Sequence, residues 1–291
     1  MTNMGRDTST IAMDTQSFNA IAALAKEEAG LVLPTGKMTM VQSRLRKRLV
    51  ETGQQDYESY CKFVCSAAGA EERRYMISAL TTNVSHFFRE SHHFDILRTR
   101  VLPVLLQKAR NGERIRIWSA GCSSGQEPYS ISMCLQAAAP ELAQRDVLIL
   151  GTDIDPAILE KAEAAEYSEQ QIAGIPDDMR RNYLEFDKAK QTYQVTPAIK
   201  RLVRFRELNL LRDWPMKGQF DVVFCRNVVI YFDPETQASL WPRFRQRINN
   251  DGWIFLGHSE RIADSALSLF EPNGMTAYRV AGSKASSVGK E

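Results

Sequence analysis

Early in the chain, apolar residues recur at the helical period. Phe18, Ile21, Ala22 and Ala25 share one face, with Ser17 placed to cap the segment, Gly30 to end it and Pro34 just beyond. Val41, Leu45 and Leu49 predict a second helix over 38–52, with Gly53 as its stop. Tyr57, Tyr60, Phe63 and Val64 mark a third, ending near Gly69, and Glu71 to Leu80 a fourth. No strand pattern interrupts this stretch, so residues 14–80 read as a small helical bundle. From about residue 113 the pattern changes to short apolar blocks alternating with helical segments. Ile115–Trp118, Val147–Leu150, Phe220–Phe224 and Gly252–Leu256 read as strands. Helices are expected from about Pro128, from Pro156 to about Ala165, and from Pro234 to Ile248. Such alternation predicts an α/β fold with a doubly wound, mostly parallel sheet. The charged stretch 168–206 fits this rhythm poorly. Its Tyr193, Val195, Leu202, Val203 and Phe205 are assigned to short antiparallel strands inserted into the core. The small, polar tail 282–291 is expected to be mobile.

Composition narrows the classes. Hydrophobic residues make up 44% and charged residues 25% of the 291, which excludes a disordered chain. No apolar run is long enough to span a membrane, and the polar opening lacks the core of a secretion signal. With 37 basic against 35 acidic residues, the chain as a whole has no attraction for nucleic acid. Five scattered cysteines without ligand spacing read as reduced thiols of a cytoplasmic protein. Four histidines are too few and too spread for a metal site, and adjacent His92 and His93 should point about 100° apart on a helix. No metal is expected.

Three motifs carry chemistry. In the first, the strand Ile115–Trp118 runs into a loop with Gly121 and Gly125 and then into a helix. Ligands of doubly wound folds sit at such strand ends. The spacing is neither that of a dinucleotide fingerprint nor of a phosphate loop, so a nucleoside with a zwitterionic tail suits it better than a polyphosphate. By itself the loop is equally a tight strand-to-helix turn. In the second, the next strand ends in Asp153-Ile-Asp155. Asp155 directly precedes Pro156 and fits a helix cap, leaving Asp153 to accept from ribose hydroxyls. In the third, the strand at Phe220 ends in Arg226-Asn227, followed by an apolar run to Tyr231.

Together these motifs resemble S-adenosylmethionine-dependent methyltransferases and, more narrowly, the chemotaxis receptor glutamate O-methyltransferases of the CheR family. The resemblance rests on Thr81-Thr-Asn-Val-Ser-His-Phe-Phe-Arg-Glu90, Ser119-Ala-Gly-Cys-Ser-Ser-Gly-Gln-Glu-Pro-Tyr129, Gly151-Thr-Asp-Ile-Asp155, Cys225-Arg-Asn-Val-Val-Ile-Tyr-Phe-Asp233 and Gly257-His-Ser-Glu260. It implies a Rossmann-like methyltransferase domain over 101–283, with its insertion at about 168–206. Ahead of that domain come the helical domain 14–80 and a linker, 81–100, contributing to the cofactor site. It implies that Asn83, Ser85, Arg89, Gly121, Glu127, Asp153, Asn209, Leu210, Asn227 and Val228 hold the cofactor, with Glu127 facing the methionine ammonium. It also implies that Arg89 and Tyr231 lie closest to the transferred methyl. The product of the cofactor would be S-adenosylhomocysteine. The acceptor, a glutamate carboxylate, is already ionised at neutral pH and needs no general base.

The resemblance also frames the charge distribution. Residues 1–100 hold 13 basic and 11 acidic side chains, so the whole net excess lies there, with five cations and no acid between Lys37 and Arg48. On a helix Arg44, Lys47 and Arg48 lie beside the apolar stripe. That face is either a solvated surface or a dock for the acidic cytoplasmic methylation region of a receptor. No aromatics interleave it, which disfavours nucleic acid. The stretch Tyr183–Val195 lacks the Gly-x-Gly hairpin with which some family members bind a receptor's C-terminal peptide, so no tether is expected. His86 is read as structural, Cys122 as a small filler, and His258–Glu260 as shaping the cleft floor. Other readings are a methyltransferase of another substrate, a non-catalytic sensor of the cofactor, or a nicotinamide dehydrogenase, which the glycine spacing opposes.

Overall fold

The computed structural model describes residues 12–282. The polar opening and the tail 283–291, both read above, lie outside the described residues. The chain divides into two compact units, at Thr82/Asn83.

The first unit is helical: α1 (Thr15–Ala29), α2 (Met38–Glu51), α3 (Tyr57–Cys65) and α4 (Ala70–Leu80). The cap of α1 is Asp14 rather than Ser17. Its carboxylate accepts from the Ser17 backbone N–H at 2.7 Å, and Ser17 is buried inside the first turn. Asp and Ser cap equally well, so composition alone could not choose between them. Gly30 ends α1 in the left-handed conformation, with φ 70°. Val41, Leu45 and Leu49 are the buried stripe of α2. The arginines beside that stripe are spent inside this unit. Arg44 Nη1 donates to the carbonyls of Leu80 and Thr81 at 2.7 and 2.8 Å, closing the end of α4. Arg48 grips buried Glu72, its Nε lying 2.9 Å from Oε1, and Tyr60 donates to the same oxygen at 2.8 Å. Lys47, by contrast, is 82% exposed.

The described residues of the second unit form ten strands: β1 (Ile115–Ala120), β2 (Val147–Asp153), β3 (Glu166–Tyr167), β4 (Leu184–Asp187), β5 (Thr192–Val195), β6 (Val203–Glu207), β7 (Phe220–Cys225), β8 (Ile248–Leu256), β9 (Phe270–Pro272) and β10 (Ala277–Val280). Seven form one sheet in the order β6-β2-β1-β7-β8-β10-β9. β6, β2, β1, β7 and β8 run parallel, and β10 is antiparallel to both β8 and β9. Every residue of β7 is buried, as a strand covered on both faces requires. The chain order reverses at β1, between β2 and β7, which opens a crevice beyond the carboxyl ends of these strands. Side chains alternate across the sheet. Ile115 and Ile117 belong to one core layer; Trp118 belongs to the other, against Trp214 at 4.9 Å and Phe220 and Phe244 at 5.4 Å. Trp214, Trp241 and Trp253 are all buried core residues.

Three details differ from the sequence reading. Val203 and Phe205 pair with β2 in the main sheet rather than inside the insertion, whose own sheet is only β3-β5-β4. Two residues on one face of a short strand do not reveal which sheet takes it. The helix after the glycine loop starts at Gln126, two residues before Pro128. The short closing strands β9 and β10 carry no periodicity that distinguishes them from loop; β10 is defined by pairing with β8, and β9 by pairing with β10.

Because Glu72 is buried and ion-paired, removing its partner leaves an uncompensated charge. Arg48→Ala is expected to cost about 2–3 kcal/mol, whereas Lys47→Ala should change stability by less than about 0.5 kcal/mol. Urea denaturation of the full chain followed by far-ultraviolet dichroism measures both.

Candidate active site

The crevice is built first from the loop that leaves β1. Gly121 and Gly125 take φ of 75° and 91°, which glycine adopts without a Cβ clash. A Cβ on Gly121 would lie 2.3 Å from Val228 Cγ2, so the missing side chain lets the β1 and β7 loops meet. The Thr152 carbonyl accepts from the N–H groups of Gly121 and Cys122 at 2.7 and 2.9 Å. Tyr167, at the root of the inserted sheet, donates its hydroxyl to the Ser124 carbonyl at 2.6 Å. Cys122 is buried and its thiol is pushed up by that burial, as a filler would be.

Asp153 ends β2 facing this loop. Its two oxygens accept from the backbone N–H groups of Ser123 at 2.8 Å and Asp155 at 3.1 Å. Burial pushes its carboxyl up to about 6, against the pull of those N–H groups. The ionised form therefore opposes folding. Its contribution is most favourable below the ordinary aspartate range near pH 4 and declines as pH rises through about 6. A group kept at such a cost is a functional candidate. Asp155 caps the next helix through the N–H groups of Ala157 and Ile158, at 3.0 and 3.3 Å. Asn83 Nδ2 donates to Asp155 Oδ2 at 2.8 Å, and the Asn83 carbonyl accepts from Ser123 Oγ at 3.1 Å. The Leu208 N–H bonds the Asp153 carbonyl at 2.9 Å, which sets Asn209 and Leu210 beside the same strand end.

The other half of the crevice is organised by Arg226, whose side chain is 2% exposed. Its Nη1 lies 2.9 Å from Glu127 Oε2, and its Nη2 lies 3.3 Å from Glu90 Oε2. Nη2 also donates to the Arg89 carbonyl. Ser119 Oγ donates to the other Glu127 oxygen at 2.6 Å. Burial raises the Glu127 carboxyl, and the Arg226 charge offsets that only in part. For Glu90 burial also pushes upward, but Arg226 and the His258 N–H win and the net shift is downward. Glu127, predicted to face an ammonium group, is thus already paired with a guanidinium of the chain, each oxygen keeping further acceptor capacity.

Glu260 forms a second hub, itself 2% exposed. It accepts from the N–H groups of Gly257 at 2.6 Å, Asn227 and Val228 at 2.8 Å, and Ile230 at 3.2 Å. These bonds hold the turn that carries Asn227, Val228 and half-buried Tyr231, with Asn227 at φ 59°. Phe88, Glu90 and Ser123 also have positive φ, of 53°, 55° and 52°. Non-glycine residues rarely adopt this conformation, and here it occurs in the loops after β1 and β7 and in the segment around Arg89. Half-buried Arg89 donates from Nη1 to the Val84 carbonyl at 3.3 Å, and Ser85 is half-buried in the same segment. All the candidate cofactor residues belong to the second unit. The candidate docking residues Arg44, Lys47 and Arg48 belong to the first.

Sequence reading placed Glu260 at the cleft floor and Arg226 at the end of β7 without giving either a partner, and missed Glu90 and Tyr167 as organisers of the site. The available signal was a cation directly after the apolar run Val222–Cys225 of a buried strand, since such a cation is buried only with acids around it. The histidines correct an expectation. His92 and His93 do converge, with ring centroids 4.1 Å apart in the first turn of the helix Ser91–Ile96. With Glu90 they offer three ligand-type atoms within 4.8 Å of one another. The positive charge against Glu90 is nevertheless the guanidinium of Arg226. His93 is fully buried and lowered to about 3 by that burial and by Arg226, so it is neutral; its Nε2 lies 2.9 Å from Thr276 Oγ1. His86 is exposed.

Comparison with known proteins agrees with this geometry. Residues 83–279 match the family model described as "CheR methyltransferase, SAM binding domain", and residues 16–81 the model "CheR methyltransferase, all-alpha domain". The chain is 47% identical over 254 residues to the probable chemotaxis protein methyltransferase of Rhizobium etli, covering 87% of this chain and 95% of that one. It is 35% identical to the chemotaxis protein methyltransferase of Salmonella typhimurium, covering 96% and 94%. To the one of Escherichia coli it is also 35% identical, covering 93% of each.

Glu260→Gln would turn one acceptor oxygen into a donor facing backbone N–H groups. A loss of about 2 kcal/mol is expected, read by urea denaturation, together with increased hydrogen exchange of the 227–231 amides.

Proposed function

Because the chain belongs to the CheR methyltransferase family, we propose that it transfers methyl groups from S-adenosylmethionine to glutamate side chains of chemotaxis receptors, forming glutamyl methyl esters. The observation that carries this is the meeting of all three motifs at one crevice: Gly121 against Val228, Asp153 against Ser123, and Arg226 between Glu127 and the Arg89 carbonyl. The chain's residues suit the cofactor. Asp153, at the end of β2, presents a buried carboxylate suited to ribose hydroxyls. Asn83, Ser85 and Arg89, Gly121, Glu127 and Asp153, Asn209 and Leu210, and Asn227 and Val228 are the residues that hold it. When bound, S-adenosylmethionine supplies an electrophilic methyl group on a sulfonium.

Arg89 and Tyr231 are the residues assigned to the reacting centre. The acceptor carboxylate arrives ionised, its ordinary pKa being near ~4.3, so the chain has no proton to remove. What remains is alignment, which can lower a barrier by roughly 7–11 kcal/mol when complete. Arg89 steers the carboxylate into line. A tight bidentate grip would stabilise the acceptor before attack and slow it, so its role is orientation. Wild-type protein with labelled cofactor and receptor should release its label as methanol in mild base, and Arg89→Ala should transfer little. Base-stable label would overturn the ester reading.

The reaction belongs in the cytoplasm, beside the receptors' methylation regions; no helix of the described residues is long and apolar enough to cross a membrane. Docking through α2 rests first on exposed Lys47, since Arg44 and Arg48 spend their donors within the first unit. Methylation rates should fall as salt rises, and Lys47→Glu should slow them further. Rates insensitive to both would exclude docking by this face. Nucleic acid is not a partner in this reading. A receptor tail is not needed either, because the turn between β4 and β5 reverses through Gln191, at φ 57°, without a glycine. Tight binding of a receptor-tail peptide in a calorimeter would overturn that part.

A further inference from the structure

We infer that Arg226 is a positioning residue for methyl transfer: one buried guanidinium sets the geometry between the cofactor's acidic partner, Glu127, and the acceptor-orienting residue, Arg89. This rests on the methyltransferase reading above and adds to it a residue that touches neither reactant. Its Nη1 bonds Glu127 at 2.9 Å, while its Nη2 bonds the Arg89 carbonyl and lies 3.3 Å from Glu90 Oε2. The two nitrogens belong to one rigid plane, so the groups they hold cannot shift independently.

The Arg89 side requires such an anchor. Phe88 and Glu90, on either side of Arg89, have φ of 53° and 55°, a conformation that is strained for a residue with a Cβ. Contacts from elsewhere have to hold it. Phe88 N–H donates to Ser130 Oγ at 3.0 Å, His258 N–H donates to Glu90 Oε1 at 3.2 Å, and Arg226 takes the carbonyl between them. Ser130 lies on the helix that also carries Glu127, so Arg226 and this helix together fix the Arg89 backbone against the cofactor loop. The direction in which the Arg89 side chain leaves is set by that backbone.

A lysine would keep the charge and lose the planar fork, so Arg226→Lys isolates geometry from neutralisation. We expect its kcat to fall about 10–100-fold, the loss typical of misaligned reacting groups. KM for receptor should stay within about twofold and the urea midpoint close to wild type. Arg226→Gln, which can still offer one N–H to the Arg89 carbonyl, should lose more kcat again, since Glu127 and Glu90 then lack their cation. In an Arg89→Lys background, whose steering is already loosened, adding Arg226→Lys should cost much less than it does alone, because both act on one alignment. A kcat for Arg226→Lys within twofold of wild type overturns the proposal. So does a parallel fall of kcat, affinity and stability, full additivity with Arg89→Lys, or failure of both Arg226 variants to fold, each of which makes the residue merely structural. The control separates the two claims. Absence of base-labile label with the wild type removes the reaction itself. Labelled wild type beside an unimpaired Arg226→Lys removes only the positioning role.

Discussion

A guanidinium almost wholly withdrawn from water must be neutralised where it sits, and the active centre is arranged around meeting that requirement for Arg226. Glu127 comes from the helix after β1, Glu90 and the Arg89 carbonyl from the segment ahead of the sheet, and Arg226 from the end of β7. Three stretches distant in sequence are thereby held to one another by charge-assisted bonds in a low-dielectric crevice. Burial alone would drive both carboxyls toward protonation. The shared cation holds Glu90 below its ordinary range and limits the rise at Glu127. Burial first, and then the Arg226 charge, hold His93 beside this cluster well below its ordinary range.

Glu260 solves the complementary problem. The turn after Arg226 exposes backbone N–H groups, and one carboxylate satisfies three of them together with that of Gly257. Asp153 does the same on a smaller scale at the end of β2. The site thus keeps its loops in uncommon backbone conformations by surrounding them with buried acids, a cost that the packed sheet behind them sustains. In the helical unit, Arg44 and Arg48 do comparable structural work. A basic stretch that reads as one continuous surface is therefore divided between internal bonds and the exposed Lys47.

Much of this was legible in the chain. Apolar periodicity marked the four helices of the first unit, and alternating blocks marked β1, β2, β7 and β8, because each element must bury a face of its own period. The separation of Asp153 from Asp155 followed from the proline after Asp155, a purely local constraint that the structure reproduces. The short motif strings pointed to the methyltransferase family and to Asn83 and Arg89, which no periodicity would have singled out.

What the sequence by itself determined was therefore local: element type, caps beside prolines and glycines, and the residue types available to the site. Tertiary structure alone decided the partners. Val203 and Phe205 joined the main sheet because β2 offered an unpaired edge. The rings of His92 and His93 turned together, and Arg44 and Arg48 of α2 turned inward. Arg226, one of 37 basic residues in the chain, became the centre of the site because folding buried it between two acids. Local signals follow from bonding along a few residues. A buried charge is defined by everything folded around it, and those neighbours come from stretches far apart in the chain.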